Sequence, residues 1–160
     1  MAEQFEVTEL VKVAVEDERS GVAFYSVLAE KAKDAQLRKT FATLAGQEKY
    51  HQKRFEDMLA DLGGYSAKEE YPGQYMAYLS VLTGNRAFPD AKAAQKAAER
   101  CADDKAALDL AIRFERDTLI LFHELRALVP HKDGTIVSEL TKEEQAHLVD
   151  LTAARVRLGR

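Results

Sequence analysis

A single cysteine, Cys101, is present among the 160 residues, which excludes an internal disulfide and any Cys-x-x-Cys metal or redox site. Its expected place is that of a small, half-buried apolar residue. Prolines number three and glycines eight, most of them at segment ends, and no run of alternating β-branched residues competes with the abundant Ala, Leu, Lys and Glu. Long helices are therefore expected, and strands are not. No stretch approaches the roughly 20 apolar residues of a membrane span, and MAEQFEVTEL at the N-terminus lacks the apolar core of a signal peptide. The expectation is a soluble, cytoplasmic protein without membrane partners. Positive charge is not in excess either: the formal net charge is −4, which gives no field to attract nucleic acid. Arg155, Arg157 and Arg160 cluster at the C-terminus, where they are expected to complement a helix dipole. With 46% hydrophobic residues, this length suits one domain over 1–160.

What is present is a carboxylate and an imidazole three residues apart, in Ala45-Gly46-Gln47-Glu48-Lys49-Tyr50-His51. The spacing recurs in Glu144-Gln145-Ala146-His147. Around the first copy, Leu37, Phe41, Leu44, Phe55 and Met58 step by four and three, and Glu48 and His51 fall on that apolar stripe. Two ionisable groups therefore point at the core. Burying a carboxylate without a partner costs several kcal/mol, so the fold must compensate it.

Taken in order, residues 5–33 form a first helical pattern with Val11, Val15, Val22, Tyr25 and Ala29 on its stripe and Glu18 in the missing step. Asp34 can cap a second helix, which runs to Leu62 and stops at Gly63-Gly64. These make an antiparallel hairpin over 5–63. Residues 64–103 differ in character: Tyr65, Tyr71, Tyr75, Tyr78, Pro72, Pro89, a Gly84-Asn85 turn, and short helical stretches near 74–83 and 91–101. A helix of about 27 residues is about 40 Å long, so this segment reads as a crossover back along the bundle. Its tyrosines are expected to pack it on the bundle or to form a dimer surface, and Lys68-Glu69-Glu70 to be solvated. Asp103 or Asp104 can cap a third helix carrying Leu108, Ile112, Leu119, Phe122 and Val129, with Glu115 in the gap, until Pro130. After a His131-Lys132-Asp133-Gly134 turn, Thr135 can cap a fourth with Val137, Leu140, Leu151, Ala154 and Leu158. The second hairpin spans 104–158.

The halves match at an offset of 97: LVKVAVEDERSGVAFYSVL (10–28) lies over ALDLAIRFERDTLILFHEL (107–125), pairing Glu18 with Glu115 and Tyr25 with Phe122. Glu18 precedes Glu48 by 30 residues and Glu115 precedes Glu144 by 29, as in a duplicated hairpin. Facing the hairpins brings together Glu18, Glu48, Glu115, Glu144, His51 and His147. Within each i, i+3 pair the carboxylate can bridge while the imidazole binds one ion. Oxygen and nitrogen donors without sulfur suit iron or manganese, and zinc less decisively. Two divalent ions neutralise four carboxylates; without them, protons must. Tyr25 sits two turns from Glu18, where its hydroxyl can tune a ligand carboxylate or meet a backbone carbonyl. His123 and His131 lie off the stripe and are not assigned to metal.

With these residues in place the chain resembles the rubrerythrin branch of the ferritin-like superfamily over nearly its whole length. The match is carried by Glu18 seven residues before Tyr25, by Phe41-x-x-Leu44-Ala45 leading into Glu48 and His51, and by the repeated half. The resemblance implies an all-α four-helix bundle whose di-iron ligands are Glu18, Glu48, His51, Glu115, Glu144 and His147. It implies reduction of hydrogen peroxide, or oxidation of ferrous iron by O2. Rubrerythrins proper usually add a Cys-rich rubredoxin domain that supplies electrons, which this chain lacks, and a Glu three residues after the third-helix ligand, where this sequence has Thr118. Electrons are thus expected from an external donor, and a homodimer is expected. Iron binding or delivery without turnover, and a purely structural polar network, are the competing readings.

Overall fold

Where the apolar stripes recur at helical spacing, the chain is helical, and it stays so through the ionisable residues set in them. The computed structural model describes residues 4–63, 66–68 and 74–159. Among these it forms α1 (Val7–Lys31), α2 (Ala35–Leu62), α3 (Gln74–Gly84), α4 (Ala91–Arg100), α5 (Asp104–Leu128) and α6 (His131–Leu158), with β1 (Gln4–Glu6) and β2 (Ser66–Lys68). Gly64, Tyr65, Glu69, Glu70, Tyr71, Pro72 and Arg160, which figure in the expectations above, lie outside the described residues. The six helices make the expected all-α bundle, and two short strands accompany it. They pair antiparallel with Phe5 opposite Ala67, so they tie the chain before α1 to the chain after α2.

Helix ends follow local chemistry. Asp34, Asp90 and Asp103 each accept a hydrogen bond at 2.8 Å from the backbone N–H three residues on, capping α2, α4 and α5. Gly63 closes α2 at φ 54°, in the left-handed region that glycine enters without steric penalty. The start of α6 corrects the expected turn. His131 to Gly134 are helical, because Pro130 holds its own φ at −53° and its carbonyl accepts from the N–H groups of Asp133 and Gly134 at 2.9 Å. Thr135 is not a cap; its hydroxyl donates to the His131 carbonyl from inside the helix.

Two polar ties orient the hairpins. Asp104, at the start of α5, accepts from the N–H groups of Lys33 and Asp34 in the α1–α2 turn. Arg157, at the end of α6, holds Asp34 through both terminal guanidinium nitrogens, while Arg155 bonds Asp109 at 2.8 Å. These C-terminal arginines therefore make specific ion pairs beyond a dipole interaction. The contacts put α5 antiparallel to α1 and parallel to α2, the arrangement for which the crossover is needed. The crossover packs through α4, which buries Ala94 and Ala98, and through Phe88.

The core is two apolar blocks with a polar band between them. Toward one end, Val11, Ala14, Phe55, Met58, Phe122 and Leu140 cluster. Toward the other, Phe24, Tyr25, Phe41, Leu108, Phe114 and Leu151 do. Val22 and Ala29 drift to half-buried positions, and Phe24 and Leu28 take their places. Phe55 is fully buried and meets Phe122 edge-on with ring centroids 5.0 Å apart. Phe55→Ala is expected to lower unfolding free energy by roughly 3–5 kcal/mol, the cost of truncating a core aromatic, as measured by urea denaturation of the metal-free protein. A loss below about 1 kcal/mol would mean that this end of the core is not well packed.

Candidate metal centre

The band between the blocks is made by four helices, each contributing at mid-length. Glu18 comes from α1, Glu48 and His51 from α2, Glu115 from α5, and Glu144 and His147 from α6. Their exposure is between 0 and 2%. All six residues named from the sequence are thus brought together.

Their atoms form two overlapping groups. In one, donor atoms of Glu18, Glu48, His51 and Glu144 lie within 4.8 Å of one another; in the other, those of Glu48, Glu115, Glu144 and His147 do. Glu48 and Glu144 belong to both. Glu48 places Oε2 3.5 Å from His51 Nδ1 and Oε1 3.5 Å from His147 Nδ1. Glu144 places Oε1 2.5 Å from His51 Nδ1 and Oε2 3.0 Å from His147 Nδ1. Each shared carboxylate therefore spans the two imidazoles, whose rings lie parallel with centroids 5.6 Å apart. Glu18 and Glu115 each sit at one side only, 3.7 Å from His51 Nδ1 and 3.8 Å from His147 Nδ1 respectively.

Several of these atoms are buried without a hydrogen bond: both oxygens of Glu18, Oε1 of Glu48 and Glu144, Oε2 of Glu115, and Nδ1 of His51. Such orphaned oxygen and nitrogen donors fit a pair of hard or borderline divalent ions, with no sulfur nearby.

Metal-free, the band is neutralised by protons. Burial and the neighbouring charge of Glu48 push Glu18 well above the usual carboxylate range; burial and the charges of Glu144 and Glu48 do the same to Glu115. Burial also opposes ionisation of Glu144, yet the hydrogen bond with His147 and the close approach of His51 prevail and hold it below that range. Burial disfavours charge on His147, but its contacts with Glu115, Glu144 and Glu48 push it up to about 12, and His51 is raised in the same way.

Around the six lie residues that sequence reasoning missed or left open. Tyr25 donates its hydroxyl to Glu115 Oε1, which settles the choice between carboxylate and carbonyl. Gly21 makes room for Glu48: a Cβ there would stand 3.0 Å from Glu48 Cγ and 3.2 Å from Phe114 Cε1. A glycine in mid-helix is unfavourable by about 1 kcal/mol relative to alanine, and that was the available signal. Asp17 is buried, accepts from the Thr118 hydroxyl at 2.6 Å and lies 3.9 Å from Arg86; burial pushes it up to about 7 against both contacts. Glu143 meets His51 Nε2 at 2.7 Å from a half-exposed position. His123 and His131 are exposed and apart from the centre. Cys101 is half-buried, its thiol donating to the Ala97 carbonyl.

Two antiparallel hairpins enclosing a duplicated Glu and Glu-x-x-His set define a carboxylate four-helix bundle of the ferritin-like class. A crystal structure from Thermotoga maritima, described as a ferritin-like diiron-carboxylate protein, matches with a TM-score of 0.72 at 26% identity, over 97% of each chain. No curated protein matches. The Rubrerythrin family model matches residues 9–154, and the chain belongs to that family.

Two outcomes follow for the metal-free protein. Divalent metal must expel the protons held by Glu18, Glu115, His51 and His147, so affinity should rise with pH and the heat of Mn2+ or Zn2+ binding should vary with buffer ionisation enthalpy; buffer-independent heats would contradict this. Asp17 favours its proton in the folded state, so its effect on stability is least adverse below pH 3.8 and worsens up to about 7. Asp17→Asn should therefore stabilise increasingly across that window and by a constant amount above it, as read from urea midpoints at several pH values. A pH-independent difference would sink the assignment.

Proposed function

We propose that this protein is a di-iron oxidoreductase that reduces hydrogen peroxide or O2 while oxidising ferrous iron. The observation that carries the reading is the pair of overlapping donor groups sharing Glu48 and Glu144, because a shared pair of carboxylates is what two adjacent ions require. Glu48 and Glu144 would bridge, Glu18 with His51 would complete one position, and Glu115 with His147 the other. Ferrous ions held by these six residues would supply two electrons and Lewis acidity, the requirement for converting one peroxide and two protons to two waters.

The chain's own residues set the conditions. Four carboxylates balance two divalent ions, so loading leaves no net charge in an interior that could not hold one. The apolar blocks on either side keep bulk water from the donors. Tyr25 holds Glu115 by its hydroxyl, fixing the rotamer of a carboxylate with few other contacts. Gly21 keeps α1 close enough for Glu48 to lie between the imidazoles.

Anaerobic Fe2+ titration of the metal-free protein, followed by stopped-flow mixing with H2O2 or O2 while ferric absorbance is recorded, tests the reading. About two irons per chain are expected, the stoichiometry of a two-metal site, with rapid oxidation by one of the two oxidants. Glu48→Ala should lower both stoichiometry and rate. Iron that binds but reacts slowly with both oxidants would point to storage or delivery, and no binding would leave a structural bundle.

A further inference from the structure

Because the chain is duplicated, each residue around the centre has a counterpart in the other half, and the two metal positions can be compared within one molecule. Their inner donors are alike, one Glu and one His each, with Glu48 and Glu144 in common. The partners behind those donors are not. Glu143, immediately before Glu144, accepts from His51 Nε2 at 2.7 Å. Its counterpart immediately before Glu48 is Gln47, neutral and exposed, and His147 Nε2 is buried with no hydrogen-bond partner among the described residues. Tyr25 donates to Glu115. Its counterpart is Phe122, which has no hydroxyl, and neither oxygen of Glu18 accepts a hydrogen bond.

Both differences act in one direction. A carboxylate on the outer nitrogen fixes the imidazole tautomer, leaves Nδ1 with its lone pair toward the metal, and raises its basicity. Only His51 has this. A carboxylate that already accepts a phenolic proton has less charge to give a cation, and only Glu115 is so engaged. The better imidazole and the unencumbered carboxylate meet at one position, the weaker pair at the other.

We propose that the centre is two-sided by construction: the Glu18–His51 position takes the first divalent ion and holds it more tightly, and the Glu115–His147 position takes the second and exchanges it more readily. Glu143 is the positioning residue that makes the difference, acting through His51. The inference rests on the two-metal reading, and its failure is separable from the failure of that reading.

The test is an anaerobic Co2+ titration followed by absorption and electron paramagnetic resonance. One equivalent should give mainly singly loaded protein with the signal of an isolated Co2+, and the second equivalent should attenuate that signal as the pair forms. Glu143→Gln, at a half-exposed position where folding is not at risk, should weaken the first step by roughly 10–100-fold, the usual effect of losing an outer partner of a ligating histidine. Gln47→Glu should tighten the second step. His147→Ala should keep the tight first step and His51→Ala should lose it. Two equivalents binding together as a statistical mixture in the wild type would overturn the inequality while leaving the two-metal reading intact. An unchanged first step in Glu143→Gln would overturn the role of Glu143. Failure to bind Co2+ at all would remove the two-metal reading itself.

Discussion

Mutual repulsion among four buried carboxylates is the constraint on which the rest of this bundle depends. Brought within a few ångströms of one another and out of water, they cannot all remain ionised without compensating positive charge. The metal-free protein meets the requirement with protons, placed where the geometry favours them. Glu48 and Glu144, each spanning two imidazoles, stay ionised, whereas Glu18 and Glu115, each touching one, retain their protons. The same division separates the carboxylates able to bridge two ions from those able to serve one. Protonation pattern and donor topology are thus two consequences of a single arrangement.

That arrangement demands a rigid frame, since a shift of about an ångström would move an oxygen out of reach of one imidazole. The apolar blocks on both sides of the band supply rigidity along the bundle axis. Across it, the frame is set by close approaches such as Gly21 against Glu48 and by the aromatic contact of Phe24, Phe88 and Phe114, with ring centroids between 4.9 and 6.2 Å apart. Phe88 belongs to the crossover, so the segment that returns the chain along the bundle also braces the wall behind the site. Asp104, Asp34 and Arg157 close the far end, where they tie the turn of the first hairpin to the open end of the second.

The six central residues were legible in the sequence because their signal is periodic: each falls on a helical stripe, and the stripes repeat at an offset of 97 residues in the first helix of each hairpin and 96 in the second. The residues around them carry no such signal. Glu143 is half-exposed, and its importance lies in a bond across the bundle to His51, which no local pattern records. Asp17 precedes Glu18 and would pass for a surface acid; only packing shows it turned inward to Thr118. The beginning of α6 was misread because His-Lys-Asp-Gly has the composition of a turn, yet one carbonyl, that of Pro130, suffices to start the helix there. The short β1–β2 ribbon escapes periodicity for a simpler reason, each strand being three residues long.

Duplication gives symmetry of backbone, and the side chains then break it. Asp17 and Thr118, a polar pair joined by a hydrogen bond, occupy the positions related by the repeat to Phe114 and Gly21, an apolar close approach. The exchange explains why Thr118 does not extend the donor set. Its hydroxyl is committed to Asp17, and the counterpart site is filled by an aromatic ring packed over a glycine. With both flanks closed, the inner donors are limited to one Glu and one His per position plus the shared pair. Any distinction between the positions must then come from what stands behind those donors. A half-exposed carboxylate and a buried phenol, neither of them a ligand, are the groups this fold has placed there.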